Sequence, residues 1–134
     1  MEYNFLLLDD NKLSIKNNGN FLLLNQENLV SLTAEYTIIS TYEIKGKNHL
    51  SSKVLEILKD NKVVIYFEKV SSALKELEGN KIIGHLGREN FRKISFPIFV
   101  KSEYLKNYLE DTGLKFELSS FLENSNFQKI ELDS

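Results

Sequence analysis

The chain of 134 residues contains no cysteine. That absence excludes disulfides, thiolate nucleophiles and cysteine metal sites, and it fits a reducing compartment. Proline occurs once, at Pro97 within Ile94-Ser95-Phe96-Pro97-Ile98-Phe99-Val100. A proline there removes a ladder donor and argues for an edge strand or a bulge. Neither sign of charge dominates: 17 basic and 19 acidic side chains leave a formal net charge of -2. The chain therefore has no overall field to draw in nucleic acid or an anionic membrane. Long apolar runs are missing too. The start, Met1 to Asp10, has no basic leader, and its Phe5-Leu6-Leu7-Leu8 stretch is too short for a signal peptide or a membrane span. Arginine is the scarcest charged residue, with two against fifteen lysines, and both fall in Gly84-His85-Leu86-Gly87-Arg88-Glu89-Asn90-Phe91-Arg92.

What is present points to one cytoplasmic, soluble domain over 1–134. A chain of this length matches the commonest domain size and buries roughly two-thirds of its unfolded surface. Abundant lysine and asparagine beside scarce arginine suit an A+T-rich coding sequence, as in many low-GC bacteria and their phages. Charge is spread unevenly. Residues 1–50 carry four basic and six acidic side chains, residues 51–100 nine and six, and residues 101–134 four and seven. Within 81–101 the balance is Lys81, Arg88, Arg92, Lys93 and Lys101 against Glu89 alone.

The first third reads as strands. Residues 3–8 and 12–16 form a first pair, and Asn17-Asn18-Gly19-Asn20 joins the second to Phe21-Leu22-Leu23-Leu24 by a tight hairpin, since Asn-Gly supplies the positive φ angles such a turn needs. A long alternating run follows over 29–45, the period-2 pattern of a half-buried strand. At 3.3 Å per residue it would extend about 55 Å, past the diameter of about 36 Å for a domain this size. It must bend, bulge or split, and Ser40-Thr41 is the preferred place. The alternative is an exposed strand edge that pairs with a second chain in a homodimer.

The second part mixes helices with strands. Ser51 or Ser52 caps a helix over 52–60, with Val54, Leu55 and Leu58 inward. Val63-Val64-Ile65-Tyr66-Phe67 is a strand buried on both faces. Ser71 or Ser72 opens a short helix using Ala73, Leu74 and Leu77, closed by Gly79. Lys81-Ile82-Ile83 is a short strand. Ser102 caps a third helix, with Glu103 in its first turn and Gly113 at its end. Leu114, Phe116 and Leu118 alternate as a strand, and Phe127, Ile130 and Leu132 suggest a last one. The fold class is α+β: a mixed, mostly antiparallel sheet with about three helices packed on one face.

Candidate chemistry is sparse. Asp9-Asp10 resembles the acidic pair that opens a receiver domain, but a hairpin follows it and Glu68-Lys69 ends the buried strand, so it reads as a solvated strand end. His85 with Glu89 lacks the third and fourth ligands a zinc site needs. No nucleophile elbow is present, and the motifs call for no cofactor. Gly84 and Gly87 bracket His85 and fall short of any Walker or dinucleotide fingerprint. The arginines remain. Each is a rigid, always-charged fork suited to a carboxylate or phosphate, and their spacing of four puts them on one side of a helical turn.

The segment His85, Arg88, Arg92 and Lys93 is therefore the candidate anion- or partner-binding site. The first expectation is a small non-enzymatic interaction protein of inhibitor, immunity or regulatory type, meeting an acidic protein partner through 85–93. The second is a small enzyme or receptor for a phosphorylated or carboxylated ligand, using His85, Arg88 and Arg92, with arginine stabilising developing charge. A third, nucleic-acid binding, would stack bases on Phe91, Phe96 and Phe99 beside Arg92, Lys93 and Lys101.

Overall fold

The structure is a computed structural model and describes residues 3–44, 51–69, 74–78, 81–86, 92–123, 125 and 127–131. Two hairpins open it. β1 (Asn4–Asp9) turns into β2 (Lys12–Asn17) through Asp10 and Asn11, and β2 turns into β3 (Asn20–Leu23) through Asn18 and Gly19. All four turn residues have positive φ, between 51° and 85°, the left-handed geometry that matches the twist of a two-residue hairpin. Asn25 then caps the short helix α1 (Gln26–Leu29), with Asn28 N–H donating to Asn25 Oδ1 and Asn25 N–H to Asn28 Oδ1.

This box explains the first correction. The alternating run over 29–45 is not one strand: the capped helix takes Leu29, an irregular stretch follows, and only β4 (Tyr36–Ser40) is extended. Capping satisfies helix donors locally, before any strand partner can. β4 stops at Ser40, the break the sequence suggested, and all five of its residues are buried.

The rest of the chain comprises α2 (Ser52–Asp60), β5 (Val63–Lys69), β6 (Leu74–Glu78), β7 (Lys81–Leu86), β8 (Arg92–Lys101), α3 (Ser102–Thr112), α4 (Leu118–Glu123) and β9 (Phe127–Glu131). Among the described residues seven strands form one sheet in the order β3-β2-β1-β4-β8-β5-β9, and β6 pairs with β7 in a second. β1 with β4 and β5 with β9 are parallel; the other pairs are antiparallel. The sheet is thus mixed and mostly antiparallel. Leu29 of α1, Leu105 and Leu109 of α3, and Phe121 and Leu122 of α4 pack on the face carrying Leu6, Ile39, Val63, Ile98 and Val100. Three helices share that face, and Val54 and Leu58 of α2 cover the other, over Ile38, Val64 and Phe99.

Three further expectations need correction. Of the helix expected over 71–77, residues 74–77 lie in strand β6, which pairs antiparallel with β7 from Leu74 opposite Leu86 to Glu78 opposite Lys81; 71–73 and Gly79 lie outside the described residues. Pro97 lies in a central strand, not an edge one. The β5–β8 register shifts between Val64 and Tyr66, opposite the proline, which is the bulge half of the reading. The alternation of Leu114, Phe116 and Leu118 is not a strand. Leu114 has φ +70°, and Phe116 joins an aromatic cluster with Tyr108 and Phe121 at centroid distances of 5.0 to 6.0 Å. Edge-to-face contacts of this kind add to the burial, so tertiary packing overrides the local pattern. Gly113 closes α3 at φ +66° as expected, and Ser51 caps α2.

No helix among the described residues is long and apolar enough to cross a membrane.

Candidate functional site

Strand directions bring several chain ends together. β1, β4 and β5 all run toward one edge of the sheet, and antiparallel β8 starts there. That edge carries Asp9 and Asp10 from β1, Ser40 to Glu43 after β4, Glu68 and Lys69 from β5, and Arg92 and Lys93 at the head of β8. The chain order reverses between β1 and β4: β2 and β3 run out to one side of β1, and all later strands of this sheet lie on the other. In open parallel α/β sheets ligands bind outside the carboxyl ends of the strands at such a reversal, and β1 and β4 are the parallel pair at the reversal in this mixed sheet.

Local contacts shape this end of the sheet. Tyr42 is 52% exposed, yet its hydroxyl donates to the Phe96 carbonyl at 3.0 Å. Its backbone N–H donates to the Ser40 hydroxyl at 3.3 Å, which fixes the turn leaving β4. Lys16 and Glu43 form an ion pair at 2.5 Å between partly exposed side chains, so the segment after β4 is tied down over β2. The β1–β2 connection is a two-residue turn and leaves no loop to wrap a phosphate. Lys12 at the start of β2 and Lys93 at the head of β8 place cationic residues at this edge on both sides of the reversal.

The sequence-derived residues divide. Arg92 stands opposite Lys69, and Lys93 opposite Glu68, at the head of β8. Lys93 is exposed. His85 belongs to β7, opposite Lys75, in the hairpin inserted between β5 and β8. Arg88, with the rest of 87–91, lies outside the described residues. Asp9 and Asp10 are exposed, and among the described residues no three His, Cys, Asp or Glu side chains gather as a metal-ligating set. Phe99 is buried and Phe96 half-buried against the core, while Phe91 lies outside the described residues.

Sequence reasoning missed a hollow of about 680 Å³ that adjoins the β1–β2 turn. Asp10, Lys12, Leu24, Tyr108, Gly113 and Lys115 help line it. The left-handed turn residues were legible, but nothing in the local sequence says that the end of α3 folds back against the first hairpin.

No known protein family and no curated protein matches this sequence. Solved structures do match its fold. The 2-C-methyl-D-erythritol 4-phosphate cytidylyltransferase from Thermus thermophilus superposes with a TM-score of 0.56 at 13% identity, over 81% of this chain and 57% of that one. The 4-diphosphocytidyl-2C-methyl-D-erythritol synthase from Anaerococcus prevotii DSM 20548 gives 0.52 at 14%, over 80% and 54%. A further 4-diphosphocytidyl-2C-methyl-D-erythritol synthase gives 0.53 at 17%, over 81% and 54%. The chain thus spans little more than half the length of these structures.

The likeness is one of fold, and it corrects the expectation of a non-enzymatic inhibitor, immunity or regulatory protein. The structures that share the fold are a cytidylyltransferase and two synthases, all enzymes. A missing nucleophile motif permits a binding protein without excluding an enzyme, because transfer at phosphorus in general leaves little covalent work to side chains and relies on positioning and charge stabilisation. Such chemistry writes no nucleophile motif into a sequence.

Proposed function

We propose that the chain forms the sheet core of an enzyme of the nucleotidyl-transfer class, binding a phosphorylated substrate across the edge where β1 and β4 end and β8 begins. The observation that carries this reading is the chain-order reversal between β1 and β4, in a fold shared with cytidylyltransferases. In the reaction, an oxygen of a phosphorylated acceptor bonds to the α-phosphorus of a nucleoside triphosphate, the α–β phosphoanhydride bond breaks, and pyrophosphate leaves. Lys93 and Arg92 supply positive charge at this edge, and Arg88 lies four residues before Arg92 in the chain. Their role is to hold phosphate oxygens and offset charge on the leaving pyrophosphate.

The test is direct. Binding of CTP and the other nucleoside triphosphates, with magnesium, is followed by amide chemical shifts of the labelled protein, and pyrophosphate release is assayed with 2-C-methyl-D-erythritol 4-phosphate as the first acceptor. Saturable shifts at Asp9, Ser40 to Glu43 and Lys93 support the reading. No binding of any nucleotide at millimolar concentration would sink it.

A further inference from the structure

The outer strands of the seven-stranded sheet are built differently. β9 includes Lys129 and Glu131 among its five residues, the kind of charge that keeps an edge from pairing. β3 is Asn20-Phe21-Leu22-Leu23, without lysine, proline or an acidic residue. Leu22 is 46% and Leu23 57% exposed. Two large apolar side chains on consecutive residues lie on opposite faces of a strand, so β3 is apolar on both sides of an open edge.

Its backbone is also poised. Leu24 N–H donates to the Leu13 carbonyl at 2.9 Å. By the alternation of antiparallel ladders, Leu22 then turns its N–H and C=O toward β2, while Phe21 and Leu23 turn theirs outward. The Leu23 carbonyl accepts a bond from Asn28 Nδ2 at 3.0 Å and keeps a second lone pair. The Phe21 and Leu23 amides and the Phe21 carbonyl face out from the sheet.

We infer that β3 pairs antiparallel with β3 of a second copy of this chain, about a two-fold axis at Leu22. In this register Leu22 lies against Leu22 of the second copy, and Phe21 lies opposite Leu23. Each Phe21–Leu23 pair exchanges two backbone hydrogen bonds, because those are the residues whose groups point outward. Leu22 has Ile15 behind it on β2, so one face of the junction is a continuous apolar row of Ile15, Leu22, Leu22 and Ile15. Self-complementarity is what an isologous interface requires, and other registers put Leu22 against Asn20 or the turn. Among the described residues the run over 29–45 holds no strand beyond β4, which is paired on both sides; β3 supplies the edge instead. Only four residues pair, so the buried surface falls below the roughly 1,200 Å² of a standard interface, and the association is weak and reversible.

Sedimentation equilibrium from low micromolar to near-millimolar protein tests this. The average mass of the wild-type chain is expected to climb from 15.5 kDa toward twice that value. Leu22→Lys and Leu22→Glu proteins, each with an unchanged far-ultraviolet circular dichroism spectrum because the site is exposed, should remain monomeric alone. Mixing the two should restore association, since the register puts the opposite charges face to face. A wild-type chain that stays monomeric throughout overturns the proposal. So does self-association unaffected by either substitution, or a mixture that fails to associate.

Discussion

The hydroxyls of Thr37 and Ser102 lie 2.7 Å apart, both buried, and join the sheet to the start of α3. Asn4 Nδ2 is within 3.3 Å of both oxygens and of the Ala34 carbonyl. Strand β1, strand β4 and helix α3 therefore meet in one polar cluster inside an otherwise apolar core. No buried polar side-chain atom is left without a partner among the described residues. Ser102→Ala leaves Thr37 with a weakened set of partners and is expected to cost about 1–3 kcal/mol, the penalty for unsatisfying a buried polar group. Thr37→Val with Ser102→Ala should cost less than the two single changes added together, because the double variant leaves no orphaned hydroxyl in that pair. Urea unfolding of the four proteins measures the coupling.

That cluster also marks a limit of reading the sequence. Ser102 looks like the N-cap of a helix, and a helix does begin there, but Lys101 occupies the cap position without a side-chain bond. The Ser102 hydroxyl is spent on Thr37, 65 residues away in sequence. Local signals held where the answer was local. The Asn18-Gly19 turn, Ser51 as a cap, Gly113 as a stop and the doubly buried Val63-Val64-Ile65 were all legible. They failed where strand pairing or packing overrode a segment's own pattern, as for β6 against β7 and for Phe116 against Tyr108 and Phe121. The candidate site is non-local in the same way. Asp9, Ser40 and Lys93 are far apart in the chain, and only strand order and direction bring them to one edge.

Gly113 permits a simple backbone test. Its φ is +66°, and a β-carbon built there meets nothing within 4 Å. Gly113→Ala therefore adds no clash, only the left-handed penalty of about 1–2 kcal/mol. A small fall in thermal midpoint with an unchanged urea m-value is expected. A much larger loss would mean that α3 depends on this cap for more than its local geometry.

The Tyr36 phenol is pushed above its ordinary pKa of 10.0, first by burial and then by the neighbouring Glu35 carboxylate. Tyr104 is also raised, by burial first, with a hydrogen bond from Ser125 opposing the shift. For a raised folded pKa the contribution to stability is complete below the unfolded value. Above about pH 10 the unfolded chain ionises while the folded one resists, so stability falls as pH rises toward the folded value. Unfolding free energy should be flat from neutral pH to the tyrosine range and decline beyond it. Tyr36→Phe should decline less steeply, with Tyr104 supplying the remainder. Equal slopes in both proteins would remove Tyr36 as a source.

Lys93 is exposed and lies opposite Glu68 at the head of β8, so Lys93→Gln should change stability by no more than about 0.5 kcal/mol. If this edge binds phosphate, the same substitution should weaken nucleotide binding about tenfold, or about 1.4 kcal/mol. Arg92→Lys and Arg88→Lys ask a finer question, since both keep the charge and remove the fork. A two-point hold on phosphate predicts a loss of similar size in each, whereas charge alone predicts almost none. Isothermal titration with CTP, on proteins first shown to unfold at wild-type urea concentrations, separates the cases. Unaltered affinity in all three would mean that neither Lys93 nor the two arginines of this chain serve the site, and that its phosphate contacts must be sought along the 680 Å³ hollow lined by Lys12 and Lys115.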